Sequence, residues 1–358
     1  MRDADSAGNT TSPEGPPVSL VTGAAGLIGS HVVERRLAAG ERVVGVDDFN
    51  DYYDPAQKRA NVQEFLDHPR FTLAEFDLRD RAAVDALFDA HRPARVAHLA
   101  AMANVRYAVG RTPLYTEVNV LASVHLLEAA KRVWSQDGRL PAAPGGAAGE
   151  APPREPGVFA FASTSSAYGK SDRLPFREDD PSNEPLSAYP ATKKAVELLG
   201  HTYHNLHGMN FTALRFFSVY GPRARPDMMP FMVTDRVFRG EPVTLFSAGE
   251  LWRDWTYVGD IADGVCAAMD TPLGCEVVNL GRGEPVRMAD FVEVIESLVG
   301  RRAVLETPPA PASEPVRTAA DITKARRLLG YNPRTPVGEG LARLWDWYRS
   351  RGGGAAPN

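Results

Sequence analysis

Val18-Ser19-Leu20-Val21-Thr22-Gly23-Ala24-Ala25-Gly26-Leu27-Ile28-Gly29 is the stretch that decides the fold. Its first four residues form an apolar run of strand length, and the glycines then follow at G-x-x-G-x-x-G spacing. Leu27 to Ala39 repeats apolar side chains at helical intervals and stops at Gly40. The stretch therefore reads as strand, tight turn, helix. Each glycine has a steric task in such a unit. The turn needs backbone without a Cβ, a pyrophosphate must approach the amides at the helix N-terminus, and the helix must pack closely on its strand. A glycine triplet alone is weak evidence, and this one is a residue longer between its first two glycines than the common dinucleotide fingerprint. Asp47 strengthens it by ending the next expected strand, eighteen residues after Gly29. A carboxylate there accepts hydrogen bonds from ribose hydroxyls and repels a 2′-phosphate, so NAD is expected rather than NADP. Asp77, after the third strand, is suited to the adenine amino group.

The alternation continues beyond this unit. Arg42 to Val46, Phe71 to Phe76, Arg95 to Ala100 and Val158 to Ala162 read as strands, with helical segments such as Arg81 to Ala90 between them. This predicts an α/β chain built on a Rossmann-type doubly wound parallel sheet. After Tyr220 the pattern loosens, and Pro222, Pro226, Pro230 and Pro242 punctuate short elements, as in a smaller C-terminal substrate-binding lobe. The expected division gives residues 18–220 to the NAD-binding domain, with 252–281 returning to it, and 221–251 with 282–350 to the lobe. Residues 1–17 read as a disordered tail without the apolar centre of a signal peptide. Residues 138–157 are rich in Gly, Pro and Ala and read as a mobile surface insertion, and 351–358 as a frayed end.

Composition narrows the partners. The 358 residues, 44% of them hydrophobic, suffice for one large core and a smaller lobe. Forty basic against 45 acidic side chains give a net charge of −5, with no Lys/Arg run to follow a phosphate backbone, so nucleic acid is not expected as a partner. The two cysteines, Cys266 and Cys275, are too few for a disulfide framework and lack paired metal-ligand spacing, which suits a reducing cytoplasm. There is no eighteen-residue apolar stretch to span a membrane. His201, His204 and His207 recur at three-residue intervals, but no Cys or paired acid completes a ligand set, so they read as a solvated helix face and no metal is expected. Trp345 and Trp347 read as packing residues of a C-terminal helix.

The chemistry is carried by a second patch, about 160 residues downstream of the glycines. In Tyr189-Pro190-Ala191-Thr192-Lys193 the four-residue spacing stacks the phenol and the amine on one helix face, and Pro190 suits the first turn. Isolated Y-x-x-x-K is common by chance. Here it accompanies a dinucleotide turn, and an ammonium together with a positive nicotinamide would lower the tyrosine pKa from near 10 until phenolate can act as a base. Ser163-Thr164-Ser165-Ser166 ends the buried strand, where hydroxyls can hold a sugar oxygen as its proton leaves.

These features resemble the extended short-chain dehydrogenase/reductase family. The resemblance rests on the Gly23 to Gly29 turn, His98-Leu99-Ala100-Ala101, the Ser163 to Gly169 strand end and the Tyr189/Lys193 pair, and it covers about Val18 to Leu344. Asp47 to Asp54, Asn104-Val105-Arg106-Tyr107, Arg225-Pro226-Asp227-Met228 and Arg253-Asp254-Trp255-Thr256-Tyr257 are similar to its branch of UDP-uronate 4-epimerases. The resemblance implies bound NAD, a UDP-sugar substrate, a homodimer, and interconversion of UDP-glucuronate and UDP-galacturonate through a 4-keto sugar. It makes Tyr189 the base, Lys193 its electrostatic partner and Thr164 the hydroxyl on the reacting oxygen. The cofactor would meet Gly23, Gly26, Leu27, Ile28, Gly29, Asp47, Asn50, Asp77, Leu78, Leu99, Ala100, Ala101, Asn119 and Phe216 besides the pair. The substrate would meet Arg106, Ser165, Ser166, Ser218, Arg225, Arg253 and Glu314, with Arg225 facing its carboxylate and Arg253 its diphosphate. Met102, Asn104, Gly259 and Glu314 depart from the usual pattern, in which Gln, Gly, Asp and Asp are the respective residues. Ser166 stands where decarboxylases of the family carry Glu, which favours epimerisation. The alternatives are a 4-epimerase of neutral UDP-hexoses, a UDP-glucuronate decarboxylase, and a non-catalytic NAD-sensing protein.

Overall fold

Residues 17–141, 155–311 and 315–353 are described by the computed structural model. The tail to residue 16, most of the 138–157 insertion, Glu314 and the residues after 353 lie outside them.

The first half alternates strand and helix: β1 (Val18–Thr22), α1 (Leu27–Ala38), β2 (Arg42–Asp47), α2 (Pro55–Val62), β3 (Phe71–Glu75), α3 (Arg81–His91) and β4 (Arg95–His98). It continues through α4 (Thr112–Thr116), α5 (Ala122–Gln136), β5 (Val158–Thr164), α6 (Ala188–His207) and β6 (Asn210–Phe216). Shorter pieces follow: β7 (Ser218–Tyr220), α7 (Met229–Arg239), β8 (Pro242–Thr244), β9 (Trp252–Arg253) and β10 (Trp255–Tyr257). The remainder is α8 (Val258–Asp270), β11 (Cys275–Leu280), β12 (Val286–Arg287), α9 (Met288–Val299), β13 (Val304–Glu306), α10 (Thr323–Leu329) and α11 (Val337–Tyr348).

The main sheet has seven parallel strands in the order β11-β6-β5-β4-β1-β2-β3. β1 and β5 are buried along their whole length, as expected of parallel strands covered on both faces by helices. The order reverses between β1 and β4, which opens a crevice at the carboxyl ends of those two strands. Two strand ends differ from the sequence expectation, and both differences shape that crevice. β4 stops at His98 rather than Ala100, because the amides of Leu99 and Ala100 turn to Oγ1 of Thr22, both at 3.2 Å. β5 runs two residues beyond Ala162 and carries Thr164 to the sheet edge.

α6 is held against the sheet by two features. Gly200 lets it approach β6 closely, since a Cβ there would lie 2.2 Å from the Phe211 ring. Further along the helix than Lys193, the buried carboxylate of Glu197 accepts from Arg215 Nε at 2.9 Å and Nη2 at 2.8 Å, and from Ser163 Oγ at 2.6 Å. One carboxylate thus ties α6, β5 and β6 together.

The later segments divide between sheet and lobe. β11 extends the main sheet beside β6, and α8 packs on α1. Around α7, α9 and α11, three two-stranded pairings (β10 with β7, β12 with β9, β13 with β8) form the rest. The fully buried Asp254 accepts from the amides of Arg282 at 2.7 Å, Gly283 at 2.9 Å and Ala320 at 2.8 Å, joining the loops that follow β9, β11 and β13. Trp345 packs on Phe238 and Trp347 on Phe231, which seats α11 on α7.

Candidate active site

The crevice deepens into a cavity of about 460 Å³ between the glycine turn, the end of β5, the start of α6 and the segment before α7. Gly23, Gly26, Leu27, Ile28 and Gly29 form one wall. Gly23 has φ +67, and a Cβ on it would come within 2.8 Å of Ala100 N. A Cβ on Gly29 would lie 2.0 Å from Gly23 O, so helix and turn meet only because the side chain is absent. Gly26 caps α1 in extended conformation with no side-chain cap, which leaves the amides of the first turn for an anion. Asn61 fixes the turn from outside by donating Nδ2 to Ala25 O at 2.9 Å.

Asp47 ends β2 on the cavity floor, and each of its oxygens accepts one backbone amide, Ala25 N at 3.1 Å and Phe49 N at 3.0 Å. Burial raises its pKa despite those two bonds. Remaining lone pairs on both oxygens are available to ribose hydroxyls. Asn50, Asp77, Leu78, Leu99, Ala100, Ala101 and Phe216 also line the cavity. Asp77 is paired with Arg79 at 2.6 Å, and that bond holds its carboxyl below the ordinary range. Open α1 amides, a side-chain-free turn and a carboxylate at the end of β2 together fit a dinucleotide.

Tyr189 and Lys193 face the cavity one turn apart on α6, and Thr164, Ser165, Ser166 and Ser218 line the same space. The electrostatics differ from the sequence expectation. Burial is the largest influence on Tyr189 and raises its pKa; the opposing groups are the Thr164 hydroxyl and the Arg225 guanidinium, not the Lys193 ammonium. Lys193, 1% exposed, is itself pulled down to about 7 by desolvation, and its Nζ lies 4.7 Å from the centre of the Phe161 ring. Behind it, His98 is buried and lowered to about 3, first by desolvation and then by Lys193. Its neutral ring joins Thr22 Oγ1 at 2.7 Å to Ser123 Oγ at 2.8 Å.

The structure does not bring every expected residue to the cavity. Asn119 is buried behind the wall, where Oδ1 accepts from Met102 N at 2.9 Å and Nδ2 donates to Thr192 Oγ1 at 3.0 Å. It shapes the β4 loop instead of lining the cavity. Arg106 is exposed, with its guanidinium 5.4 Å from the Phe246 ring, and Arg253 on β9 donates Nη1 to Trp252 O at 2.8 Å; neither lines the cavity. Arg225 does line it, bonded to Asp227. Glu314 lies outside the described residues. Sequence reading missed Lys58, a buried amine in the cavity wall that donates to Asn50 O at 2.6 Å and Asn50 Oδ1 at 2.9 Å. The available signal was its position one turn into α2, whose first amides are capped by Asp54.

A dinucleotide crevice with a tyrosine and a lysine on one helical face beside strand-end hydroxyls defines a nicotinamide-dependent enzyme. The chain belongs to the NAD dependent epimerase/dehydratase family, which matches residues 19–281. UDP-glucuronate 4-epimerase 3 of Arabidopsis thaliana is 38% identical to it over 92% of this chain and 76% of its own length. The crystal structure of UDP-glucuronic acid 4-epimerase from Bacillus cereus, in complex with UDP-glucuronic acid and NAD, superimposes with a TM-score of 0.82 at 32% identity, covering 93% of this chain and 99% of that one. UDP-glucose 4-epimerase from Thermotoga maritima, with UDP-glucose, reaches a TM-score of 0.79 at 28% identity over 93% and 99% of the two chains.

Proposed function

We propose that the protein is an NAD-dependent isomerase that interconverts UDP-glucuronate and UDP-galacturonate by inverting C4. The observation that carries this reading is Arg225, whose guanidinium lines the same cavity as Tyr189 and acts electrostatically on its phenol. In a uronate the carboxylate hangs on C5, next to the carbon whose hydroxyl must be deprotonated. A cation beside the base therefore matches a 4-hydroxyl with a carboxylate as its neighbour, whereas a neutral hexose offers it nothing.

Tyr189, as phenolate, takes the proton of the 4-hydroxyl, and Thr164 holds that oxygen while the C–H bond breaks. NAD, when bound, supplies the acceptor for the C4 hydride and returns it. The 4-keto sugar turns about its diphosphate linkage, and Tyr189 gives the proton back to the oxygen as the opposite face is reduced. Lys193, expected as the electrostatic partner of the base, is desolvated beside it, and the Thr164 hydroxyl and the Arg225 guanidinium are the groups that favour the phenolate. The glycine turn, Asp47, Asn50 and Asp77 hold the cofactor. Ser165, Ser166 and Ser218 offer hydroxyls to the sugar, and Arg225 meets the carboxylate. Arg106 and Arg253 would reach the nucleotide or diphosphate only by turning inward from their present positions. A 4-keto uronate is a β-keto acid and loses CO2 readily when an acid assists; Ser166 supplies none.

Two further readings accompany this one. The reduced Cys266 and Cys275 suit the cytoplasm, and no helix among the described residues is long and apolar enough to cross a membrane. Leu121, preceding α5, and Leu198 on α6 are 45% and 61% exposed, which supports a homodimer formed through these helices. Turnover by the wild type and its loss in Tyr189→Phe, by roughly 10²–10⁴-fold with UDP-sugar binding retained, is the expected outcome. Equal rates in both would remove Tyr189 from proton transfer, and no turnover in either would favour the NAD-sensing alternative.

A further inference from the structure

Asp227 has no role in the reaction described above, yet its carboxylate is fully engaged. Oδ1 accepts from Arg225 Nε at 3.0 Å, while Oδ2 accepts from the Tyr52 hydroxyl at 2.8 Å and from Asn104 Nδ2 at 2.7 Å. The three donors come from the loop after β2, the loop after β4 and the segment before α7. The bonds therefore cross from the sheet to the lobe at the mouth of the cavity. Burial opposes the charge on Asp227, but Arg225, Asn104 and Tyr52 together hold it below the usual carboxylate range. Asn104 is itself fixed, since its Oδ1 accepts from the amides of Arg106 and Tyr107, both at 2.9 Å, and its carbonyl accepts from the Tyr115 hydroxyl at 2.6 Å.

A guanidinium can serve two carboxylates at once, because its Nε and its terminal nitrogens present separate edges. Asp227 occupies Nε of Arg225, and the Nη groups have no bonded partner among the described residues. The side chain, 24% exposed, is thus held at one edge and available at the other to a ligand in the cavity it lines. An arginine without such an anchor would lose side-chain freedom on binding; this one has already lost it.

We propose that Asp227, clamped by Tyr52 and Asn104, is the positioning residue that aims Arg225 at the substrate carboxylate and so sets the preference for a uronate over a neutral sugar. This inference rests on the uronate reading above. It also gives a purpose to Asn104, which stands where the resembling pattern has glycine: a glycine has no side-chain amide to donate to Asp227.

Steady-state kinetics with UDP-glucuronate, and with UDP as a competitive inhibitor that lacks the sugar, test it in the whole protein. Asp227→Ala is expected to raise KM for UDP-glucuronate roughly tenfold while kcat stays within about threefold and the UDP inhibition constant is unchanged. Asn104→Gly, a milder change, shifts KM the same way by a smaller factor. In an Arg225→Ala background Asp227→Ala adds nothing, since its effect passes through the missing guanidinium. A lower KM in Asp227→Ala would mean that Asp227 competes with the substrate, and would overturn the proposal. So would an equal rise with and without Arg225, or a parallel rise in the UDP inhibition constant. A wild-type protein that binds UDP but leaves UDP-glucuronate unchanged would overturn the uronate reading itself.

Discussion

Tyr189 and Lys193 are each pushed toward their neutral forms by burial, so the site begins with a phenol and an amine that hold their charges poorly. The positive groups that act in opposition are what make phenolate accessible, and Arg225 is the one the protein itself provides. Arg225→Ala should therefore act on binding and on the base together. KM for UDP-glucuronate is expected to rise roughly 10–100-fold, the size of one charge-assisted pair, while affinity for UDP-glucose stays the same; competitive binding assays with both sugars measure the split. At this scale the sequence was informative where function is local. Tyr189 and Lys193 are one helical turn apart, and Asp47 ends the strand beside the glycine turn, so spacing alone brings them to the cavity. The roles of Tyr52 and Asp227 escaped because they lie in a contact between segments 175 residues apart, whereas Lys58, bonded to Asn50 eight residues before it, was simply overlooked. Arg106 and Arg253 show the converse, since a motif names a residue without saying which way its side chain turns.

At the scale of elements, the accuracy of the site depends on how α1 and α6 are held. Gly29→Ala would force a Cβ to within 2.0 Å of Gly23 O, so the turn must open. The variant should lose roughly 1–3 kcal/mol of stability and retain less NAD through purification, read by denaturant unfolding and by cofactor content after acid release. α6 depends instead on the Arg215–Glu197 pair, with side chains 1% and 3% exposed. Arg215→Ala leaves the Glu197 carboxylate buried without its main partner, and about 3–5 kcal/mol of stability is expected to go with it. The glycine turn was legible because a close approach of backbone to backbone demands glycine in the sequence itself. The Glu197 anchor was not, because an Arg in a strand and a Glu in a helix eighteen residues earlier look like any two surface charges until the fold buries both. The ends of β4 and β5 were displaced by two residues for similar reasons: Thr22 Oγ1 captures the Leu99 and Ala100 amides after β4, and Ser163 and Thr164 extend β5 by pairing with Arg215 and Phe216 of β6, tertiary bonds with no local signature.

For the molecule as a whole, alternating strands and helices were enough to define the doubly wound sheet, since long periodic segments admit few other arrangements. The lobe was harder, as strands of two or three residues, such as β9 and β12, are formed by their pairing partners and not by their own pattern. Burial of ionisable groups also sets a pH dependence. His31 and His98 are each lowered to about 3, chiefly by desolvation, from an unfolded value of 6.5. Both are neutral in the fold, so between pH 6.5 and about 3 the unfolded chain binds more protons, and stability falls as pH falls through that window. At about pH 5 the cost is roughly 2 kcal/mol for each histidine. Lys193 has the same sign in a higher window: from about 7 to 10.5 the unfolded chain holds the extra proton, so this residue's penalty eases as pH rises. Melting temperatures of wild type and His98→Asn at about pH 5 and pH 7.5 should differ less in the variant, and an equal acid loss in both would remove His98 from this account.

The most direct measurement is proton NMR of the purified protein incubated with UDP-glucuronate and no added cofactor, following the sugar anomeric and H4 signals. Inversion at C4 with retained NAD requires UDP-galacturonate to appear and no carbon to be lost. Formation of UDP-xylose or a 4-keto pentose would contradict the role given to Ser166, and an unchanged spectrum alongside reaction of UDP-glucose would contradict the role given to Arg225.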